Sequence, residues 1–422
     1  MRHPDFSPAD HQKEIYLKGF AGVLPAVPVD PAELEARAKK AMSPEAYAYI
    51  AGGAGLESTV VSNRSDFESL KIVPRMLRDT SGRDTSVTLF GQRLPSPLLL
   101  SPVGVLEMVH PEADLAVGRA AAALGVPYIF SNQASRPMEE VAAVMGDSHR
   151  WFQLYWSKSN DLVASFVQRA EKIGCGAIVV TLDTTHLGWR TRDLAIAYLP
   201  FLEGKGIAQY TSDPVFQRLM DEPSPALARP RVTLSLLSGL VKMVNAYPGS
   251  GFLRKLKSGR PQKAVQKFTA IYSNPALTWK DLSFLRQHTK LPILLKGILH
   301  PDDAAMALDH GVDGLIVSNH GGRQVDGSIS TIAALPAIAQ RVNGRVPVVL
   351  DGGVRGGADM FKALALGATA VCIGRPYVYG LTLAGQAGVE EVLKNLMADF
   401  YFTMGLSGVN SVKEITRDTL AG

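Results

Sequence analysis

The sequence predicts an α/β chain built as a (β/α)8 TIM barrel, with a helical N-terminal extension and a long insert after the fourth strand. Three observations predict it. From residue 97 onward, short apolar runs and amphipathic stretches alternate eight times. The apolar runs are continuous, as strands buried on both faces must be. No Gly-x-Gly-x-x-Gly turn follows the first run, which sets the pattern apart from a doubly wound open sheet.

Residues 1–96 form the extension, with helices expected at 31–41 and 44–51 and some short extended pieces. The first strand is 97–105 (PLLLSPVGV), followed by a helix at 111–125 with Pro at its start and Gly at its end. Strand 127–132 (PYIFSN) precedes helix 137–146, and strand 150–156 (RWFQLYW) precedes helix 160–174. The fourth strand is 177–183 (AIVVTLD). Residues 200–275 then interrupt the alternation. A structureless loop of that length is improbable in a compact domain, so helices are expected there, one around 232–244. The pattern resumes with helix 278–289, strand 292–297 (PILLKG), helix 301–311 and strand 314–319 (GLIVSN). Helix 331–342, strand 347–353 (PVVLDGG), helix 357–367, strand 370–375 (AVCIGR) and a helix from 389 complete it. Eight strands close a barrel, so residues 1–422 are read as one domain.

Composition narrows the function. A hydrophobic fraction of 46% with 20% charged residues suits a large buried core. Two cysteines, Cys175 and Cys372, exclude a disulfide framework and a cysteine-based zinc site, and they fit a reducing compartment. The first residues lack the apolar run of a signal peptide, and no stretch of 18 apolar residues occurs. A cytoplasmic protein without a metal is expected. The net charge of +5 is concentrated in one window, 223–280, which holds ten Lys and Arg from Arg229 to Lys280 and no Asp or Glu. No nucleic-acid-binding module is recognisable, so nucleic acid is not expected as a partner.

Barrel active sites lie at the C-terminal ends of the strands. Polar residues gather there: Ser131, Gln153, Tyr155, Thr181, Asp183 and Lys296 on strands two to five. Ser318, Asn319, His320 and Arg323 follow strand six, Asp351, Gly352, Gly353 and Arg355 end strand seven, and Gly374 and Arg375 end strand eight. Each has a plain structural reading. Lys296 can exit to solvent, Asp183 can cap a helix, His320 can be an ordinary loop histidine, and Asp351-Gly-Gly can be a turn. Their convergence on one mouth favours function. His300 and His310 flank a helix and are assigned to capping or surface.

Gly352, Gly353, Gly356, Gly357 and Gly374 allow close backbone approach. Arg355 and Arg375 supply charge, and a helix is expected to start near Gly357. Together these suggest a phosphate site. Lys296 in the same mouth is suited to an anionic heterocycle. Arg190 and Arg323 around His320 suit a substrate carboxylate beside a general base.

These motifs resemble the FMN-dependent L-2-hydroxy acid oxidising family, from about Gly22 to Leu420. SNHGGRQVD at 318–326 is close to a family signature, and DGGVRGGADMFKALALGA at 351–368 and GRP at 374–376 are nearly as specific. The resemblance implies FMN lined by Pro102, Val103 and Gly104, with Ser131, Gln153 and Thr181 on its ring, Lys296 on its N1/O2 edge and Ser318 in contact. It implies Asp351, Gly353, Arg355, Gly374 and Arg375 on ribityl and phosphate, with Gly352 beside them. Tyr49, Tyr155, Arg190, His320 and Arg323 would bind a small anionic 2-hydroxy acid. His320 would be the base, taking the hydroxyl proton or, on a carbanion route, the C2 proton. Asp183 would stabilise its protonated form.

Within the family, PVGV at 102–105, GWRTRDL at 188–194, FLEG at 201–204 and TSDPVFQ at 211–217 look like lactate 2-monooxygenase. Gly104 stands where many members carry Ala. That resemblance implies L-lactate or a similar acid as substrate and O2 as acceptor, giving peroxide or, by decarboxylation of retained product, a shorter acid and CO2. Gln133, His186 and Leu187 are expected at the acyl end of the pocket. Two readings of the insert stay open. One is a lid or subunit interface with a basic rim, which is favoured; the other is an amphipathic membrane contact of a quinone-linked dehydrogenase. Family analogy implies a homo-oligomer, a tetramer or a multiple of it.

Overall fold

The computed structural model describes residues 6–223 and 233–421. Arg229, Arg231 and the start of the helix expected at Val232 lie outside the described residues. A two-stranded antiparallel hairpin, β1 (Val87–Leu89) and β2 (Gln92–Leu94), precedes the barrel. The barrel strands are β3 (Leu98–Leu100), β4 (Tyr128–Phe130), β5 (Arg150–Leu154) and β6 (Ile178–Thr181). They continue with β7 (Ile293–Ile298), β8 (Gly314–Ser318), β9 (Val348–Asp351) and β10 (Ala370–Ile373). All eight are parallel and β10 pairs with β3, so the barrel is closed.

The continuous apolar runs now have their reason. Leu99, Ile129, Trp151, Val179, Leu294, Ile316, Val349 and Cys372 point into the barrel. Their neighbours Leu98, Leu100, Phe152, Val180, Leu295 and Val317 belong to the core under the helices. Both faces are buried, so alternation in sequence has nothing polar to show. Leu89 and Leu94 of the hairpin join the inner core, and the Phe90 ring lies 5.6 Å from that of Trp151. The hairpin therefore plugs the N-terminal end of the barrel, and the opposite end stays open.

Most strands are shorter than their apolar runs, β7 (Ile293–Ile298) being the exception, since it runs one residue past the expected end and holds Lys296 within it. The most consequential shift is at β10. The helix expected from 389 is Arg375–Leu406, interrupted at Ala384 and Gly385, so Arg375 begins a helix and does not end a strand. The 278–289 helix is a 3-10 turn, Trp279–Asp281, followed by Leu282–His288.

In the extension, Pro31–Ala41 and Pro44–Ala51 are helical as expected, each capped by the residue before its Pro: Asp30 accepts from Glu33 N and Ser43 from Ala46 N. Two further helices, Pro8–Phe20 and Ser58–Ser69, escape the sequence pattern. The second is rich in Ser, Asn and Asp, which compete with helical hydrogen bonding. Its start is instead held by a distant residue. Asp326 accepts from Leu56 N at 2.6 Å, Ser58 Oγ at 2.6 Å and Thr59 N at 3.3 Å.

The insert carries helices, among them Pro214–Leu219, Leu234–Ala246, Phe252–Ser258 and Arg260–Ile271. Thr233 caps the second, two residues past the expected start, by accepting from Leu236 N. Part of the basic window is neutralised by acids that lie just before it. Lys242 pairs with Glu203 at 2.7 Å, Arg260 with Asp221 at 3.5 Å and Lys267 with Glu222 at 3.8 Å. Among the described residues, no helix is long and apolar enough to cross a membrane, and no cluster of metal-ligating side chains occurs.

Candidate active site

The C-terminal mouth of the barrel opens into a cavity lined by residues of the strand ends, the extension and the insert. At its floor a hydrogen-bonded chain runs across four strand ends. Ser101 Oγ donates to Asp351 Oδ1 at 2.6 Å, and Ser318 Oγ donates to Asp351 Oδ2 at 2.8 Å. Lys296 Nζ donates to Ser318 Oγ at 2.8 Å and pairs with Asp351 Oδ2 at 2.8 Å. Burial alone would lower the Lys296 pKa, but Asp351 and Asp183 hold it above its ordinary range. Asp351 is held below the carboxylate range by Lys296 and the two serines, against its burial. Lys296 is therefore a permanent buried cation. Ser101, which the sequence reading did not single out, completes this chain; its only trace in sequence is its place at the end of the first apolar run.

Pro102, Val103, Gly104 and Ser131 line the cavity. Gln153 and Thr181 lie just behind its wall, fully buried. Gln153 Oε1 accepts from Asn132 N at 2.9 Å, whereas Gln153 Nε2 and Thr181 Oγ1 have no partner among the described residues. Buried polar atoms left unpaired are costly. A donor and a hydroxyl waiting at adjacent strand ends, next to a fixed cation, suit the polar edge of an anionic heterocycle.

The phosphate end differs from expectation in three respects. The helix Gly357–Ala365 does not offer its first amides to a ligand. Arg355 N and Gly356 N donate to Asp359 Oδ2, and Gly357 N donates to Asp399. The free helix start facing the cavity is that of Arg375–Leu406, where a Cβ on Gly374 would meet nothing closer than 3.6 Å. Gly353 (φ +82°) is required by the extension, since a Cβ there would lie 2.1 Å from the Asn63 carbonyl oxygen. Gly357 is likewise required by helix packing on Phe400. Third, the Arg375 guanidinium, which lines the cavity, also donates to the carbonyls of Ile50 at 3.2 Å, Gly321 at 2.9 Å and Gly52 at 3.1 Å, leaving two of its five N–H donors for a ligand. It ties the extension and the His320 loop to β10. Arg355 lines the same end of the cavity; burial and then Arg375 push its pKa down to about 10.

At the other end of the cavity, His320 sits at φ +56°, a conformation costly for a residue with a side chain. Its amide donates to Ser318 Oγ at 3.1 Å, and Gly321 follows at φ +64°. Nδ1 lies 2.7 Å from Asp183 Oδ1, which leaves Nε2 for a ligand. Burial pushes the His320 pKa down and outweighs the upward pull of Asp183, with Lys296 and Arg190 adding to the fall. The imidazole is thus neutral near pH 7 and able to accept a proton. Burial would raise Asp183, but His320 and Lys296 hold it ionised.

Arg323 donates to Gly52 O at 2.7 Å and lies 5.1 Å from the Tyr49 ring centre. Arg190 donates weakly to Arg323 O at 3.4 Å and to Gln324 Oε1 at 3.3 Å. These acceptors are neutral. Burial, and then the charge of Arg190, bring the Arg323 pKa down to about 9. Two guanidiniums facing one buried space favour an anionic ligand. Tyr49 and Tyr155 complete this end, both buried, with phenol pKa values raised by desolvation.

Gln133 and Leu187 line the cavity as expected, but His186 does not; its residue is exposed and its carbonyl accepts from Gln324. Besides Ser101, further lining residues were missed, among them three whose origin is informative. Phe201 and Tyr272 come from the insert, and Thr184 follows Asp183. Nothing in their local sequence marks them. The insert also packs on the segment that follows Gly104. Gly206 N donates to Glu107 Oε1 at 2.9 Å, and a Cβ on Gly206 would strike Val105. Asn319 serves structure, exchanging amide hydrogen bonds with Asn63 at 2.8 and 2.9 Å. His300 caps its helix by accepting from Asp302 N, as expected.

With this geometry in place, the chain was compared with known proteins. The family described as FMN-dependent dehydrogenase matches residues 38–422. An FMN-dependent alpha-hydroxy acid dehydrogenase of Penicillium citrinum is 40% identical over 418 residues, covering 99% of this chain and 96% of that protein. An L-lactate oxidase of Lysinibacillus sphaericus is 41% identical over 407 residues, covering 96% of each. A crystal structure of mandelate oxidase with benzoyl-formic acid superposes with a TM-score of 0.74 at 35% identity, covering 94% of this chain and 98% of that one.

Proposed function

The chain belongs to the FMN-dependent dehydrogenase family, and from that premise we propose that it oxidises a small L-2-hydroxy acid, L-lactate or a close relative, with O2 as electron acceptor. The cofactor is FMN. The observation that carries the substrate class is the facing of Arg190 and Arg323 beside a neutral His320 backed by Asp183.

The flavin supplies a two-electron acceptor next to the substrate's C2 when bound. Lys296 places fixed positive charge at the ring's edge, and Gln153 Nε2 and Thr181 Oγ1 gain partners there. Gly353, Arg355, Gly374 and the amide of Arg375 hold the ribityl and phosphate, with Asp351 anchored between Lys296 and Ser101. Arg190 and Arg323 take the substrate carboxylate between them, and Tyr49 and Tyr155 close around it. His320 Nε2 removes the C2 hydroxyl proton, and Asp183 stabilises the imidazolium that results. The product is a 2-oxo acid.

Gly104 and the insert aromatics Phe201 and Tyr272 over the cavity support retention of that product, followed by oxidative decarboxylation as in a lactate 2-monooxygenase. A panel of L-2-hydroxy acids under air, with product analysis, tests the whole reading. L-Lactate should give acetate and CO2, or pyruvate and peroxide; no turnover of any member would overturn it.

One observation favours a second reading. The helix Leu234–Ala246 leaves Leu234, Leu237 and Val241 exposed, and the basic helix Phe252–Ser258, with exposed Arg254 and Lys257, follows it in sequence. This suits a membrane surface and a dehydrogenase that reacts poorly with O2. Co-sedimentation with anionic lipid vesicles, together with slow O2 uptake, would favour it. A homo-oligomer is part of the main reading. Leu17, Phe20 and Leu24 of the extension are exposed, and a second copy would cover them. Light scattering on the eluting protein checks this.

A further inference from the structure

The carboxylate behind the base is unevenly served. Asp183 Oδ1 accepts from two groups, the His320 Nδ1–H at 2.7 Å and the Thr184 hydroxyl at 3.0 Å. Asp183 Oδ2 is buried with no hydrogen-bond partner among the described residues. The Thr184 oxygen also lies 3.3 Å from His320 Nδ1, so imidazole, hydroxyl and carboxylate oxygen close a triangle. Thr184 is buried, at 5% exposure, and its branched side chain has few rotamers open to it. The Asp183 side chain packs closely on the Gly297 backbone, where a Cβ would lie 2.9 Å from Asp183 Cβ.

We propose that Thr184 is a positioning residue that sets the proton affinity of His320, by sharing Asp183 Oδ1 with the imidazole. The proposal rests on the reading of His320 as the base. A carboxylate oxygen that already accepts a neutral donor attracts an imidazolium less strongly than a bare one. With Oδ2 unpartnered, Thr184 is the group that limits how tightly Asp183 holds a proton on His320. The other charged and titratable groups facing His320 act in known senses. Lys296 from β7 and Arg190 from the loop after β6 disfavour the imidazolium. Tyr155, whose phenol hydrogen-bonds with Thr184, stays neutral. A base held too basic would be protonated before substrate arrives. The Thr184 hydroxyl keeps it free while leaving Asp183 in place to stabilise the proton once taken. It also fixes the ring's rotation, because Nδ1–H has two acceptors on one side and Nε2 faces the cavity.

The test is the titration of His320 in the FMN-loaded enzyme labelled with 13Cε1-histidine, the resonance being assigned by its loss in H320Q. In T184V the His320 midpoint is expected to rise by roughly half a pH unit to one unit. T184S, which keeps the hydroxyl, is expected to titrate close to wild type. The acid limb of the kcat/KM profile should move the same way. A midpoint in T184V that is unchanged or lowered overturns the proposal, and so does a T184S midpoint displaced as far as that of T184V. Should T184V fail to fold, T184A against T184S makes the same comparison. Absence of turnover with every L-2-hydroxy acid would sink the functional reading alone, because the resonance midpoint decides Thr184 without turnover.

Discussion

Lys296 Nζ lies 2.8 Å from Asp351 Oδ2, two strands away around the barrel, with the Ser318 hydroxyl bonded to both. A buried lysine needs such a partner, since removing one member of a buried pair costs about 3–5 kcal/mol. The K296M variant is therefore expected to lose stability on that scale, together with FMN affinity. The double variant K296M/D351N should regain most of the stability and none of the turnover. Calorimetry and flavin titration read the two effects separately.

His320→Ala removes the proposed base and leaves the cofactor contacts in place. The expected product is a yellow protein whose turnover falls by about 10²–10⁴-fold. Near-normal turnover with L-lactate would refute the assignment.

Proton removal needs neutral His320, and burial with the charges of Lys296 and Arg190 pushes its pKa below the ordinary 6.5. The acid limb of the kcat/KM profile should therefore have its midpoint below pH 6.5. In D183N the group that raises the His320 pKa is gone. Its acid limb should shift to still lower pH while the maximal rate drops, because the imidazolium formed in the reaction has lost its stabiliser. A limb that moved upward in D183N would contradict this account.

Arg190 and Arg323 face one another without a carboxylate acceptor in the hydrogen bonds they make. A small 2-oxo acid is expected to raise the Tm of the wild-type protein by relieving that repulsion. R190M and R323M should each raise KM by roughly 10–150-fold, the worth of a charge-assisted hydrogen bond of about 1.5–3 kcal/mol. They should also lose the thermal shift.

Gly104 packs where a methyl group has little room. A Cβ would lie 2.9 Å from Gln133 O, which already accepts from Val105 N at 2.9 Å, and Val105 itself sits at φ +59°. G104A is expected to displace the 131–134 loop and lower the Tm. If Gly104 governs product retention, the variant should also change the ratio of acetate to pyruvate formed from lactate under air.

The barrel, and the polar groups at the ends of its strands, were legible in the local pattern of the chain. Strand burial on both faces writes itself as continuous apolar runs, and loops after such strands converge wherever the chain is long enough to close. His320, Arg323, Lys296 and Asp351 were legible for that reason. Only the tertiary structure decided what each group is bonded to. Arg375 read as a cavity cation, and its guanidinium also holds the Ile50 carbonyl, 325 residues away in sequence. The amides near Gly357 looked free until Asp359 and Asp399 took them. Thr184 looked like any loop threonine until closure placed its hydroxyl between Asp183 and His320. Periodicity is a local property of the chain and survives in the sequence. Hydrogen-bond partnership depends on which distant backbone the fold brings within about 3 Å, and no local pattern records that.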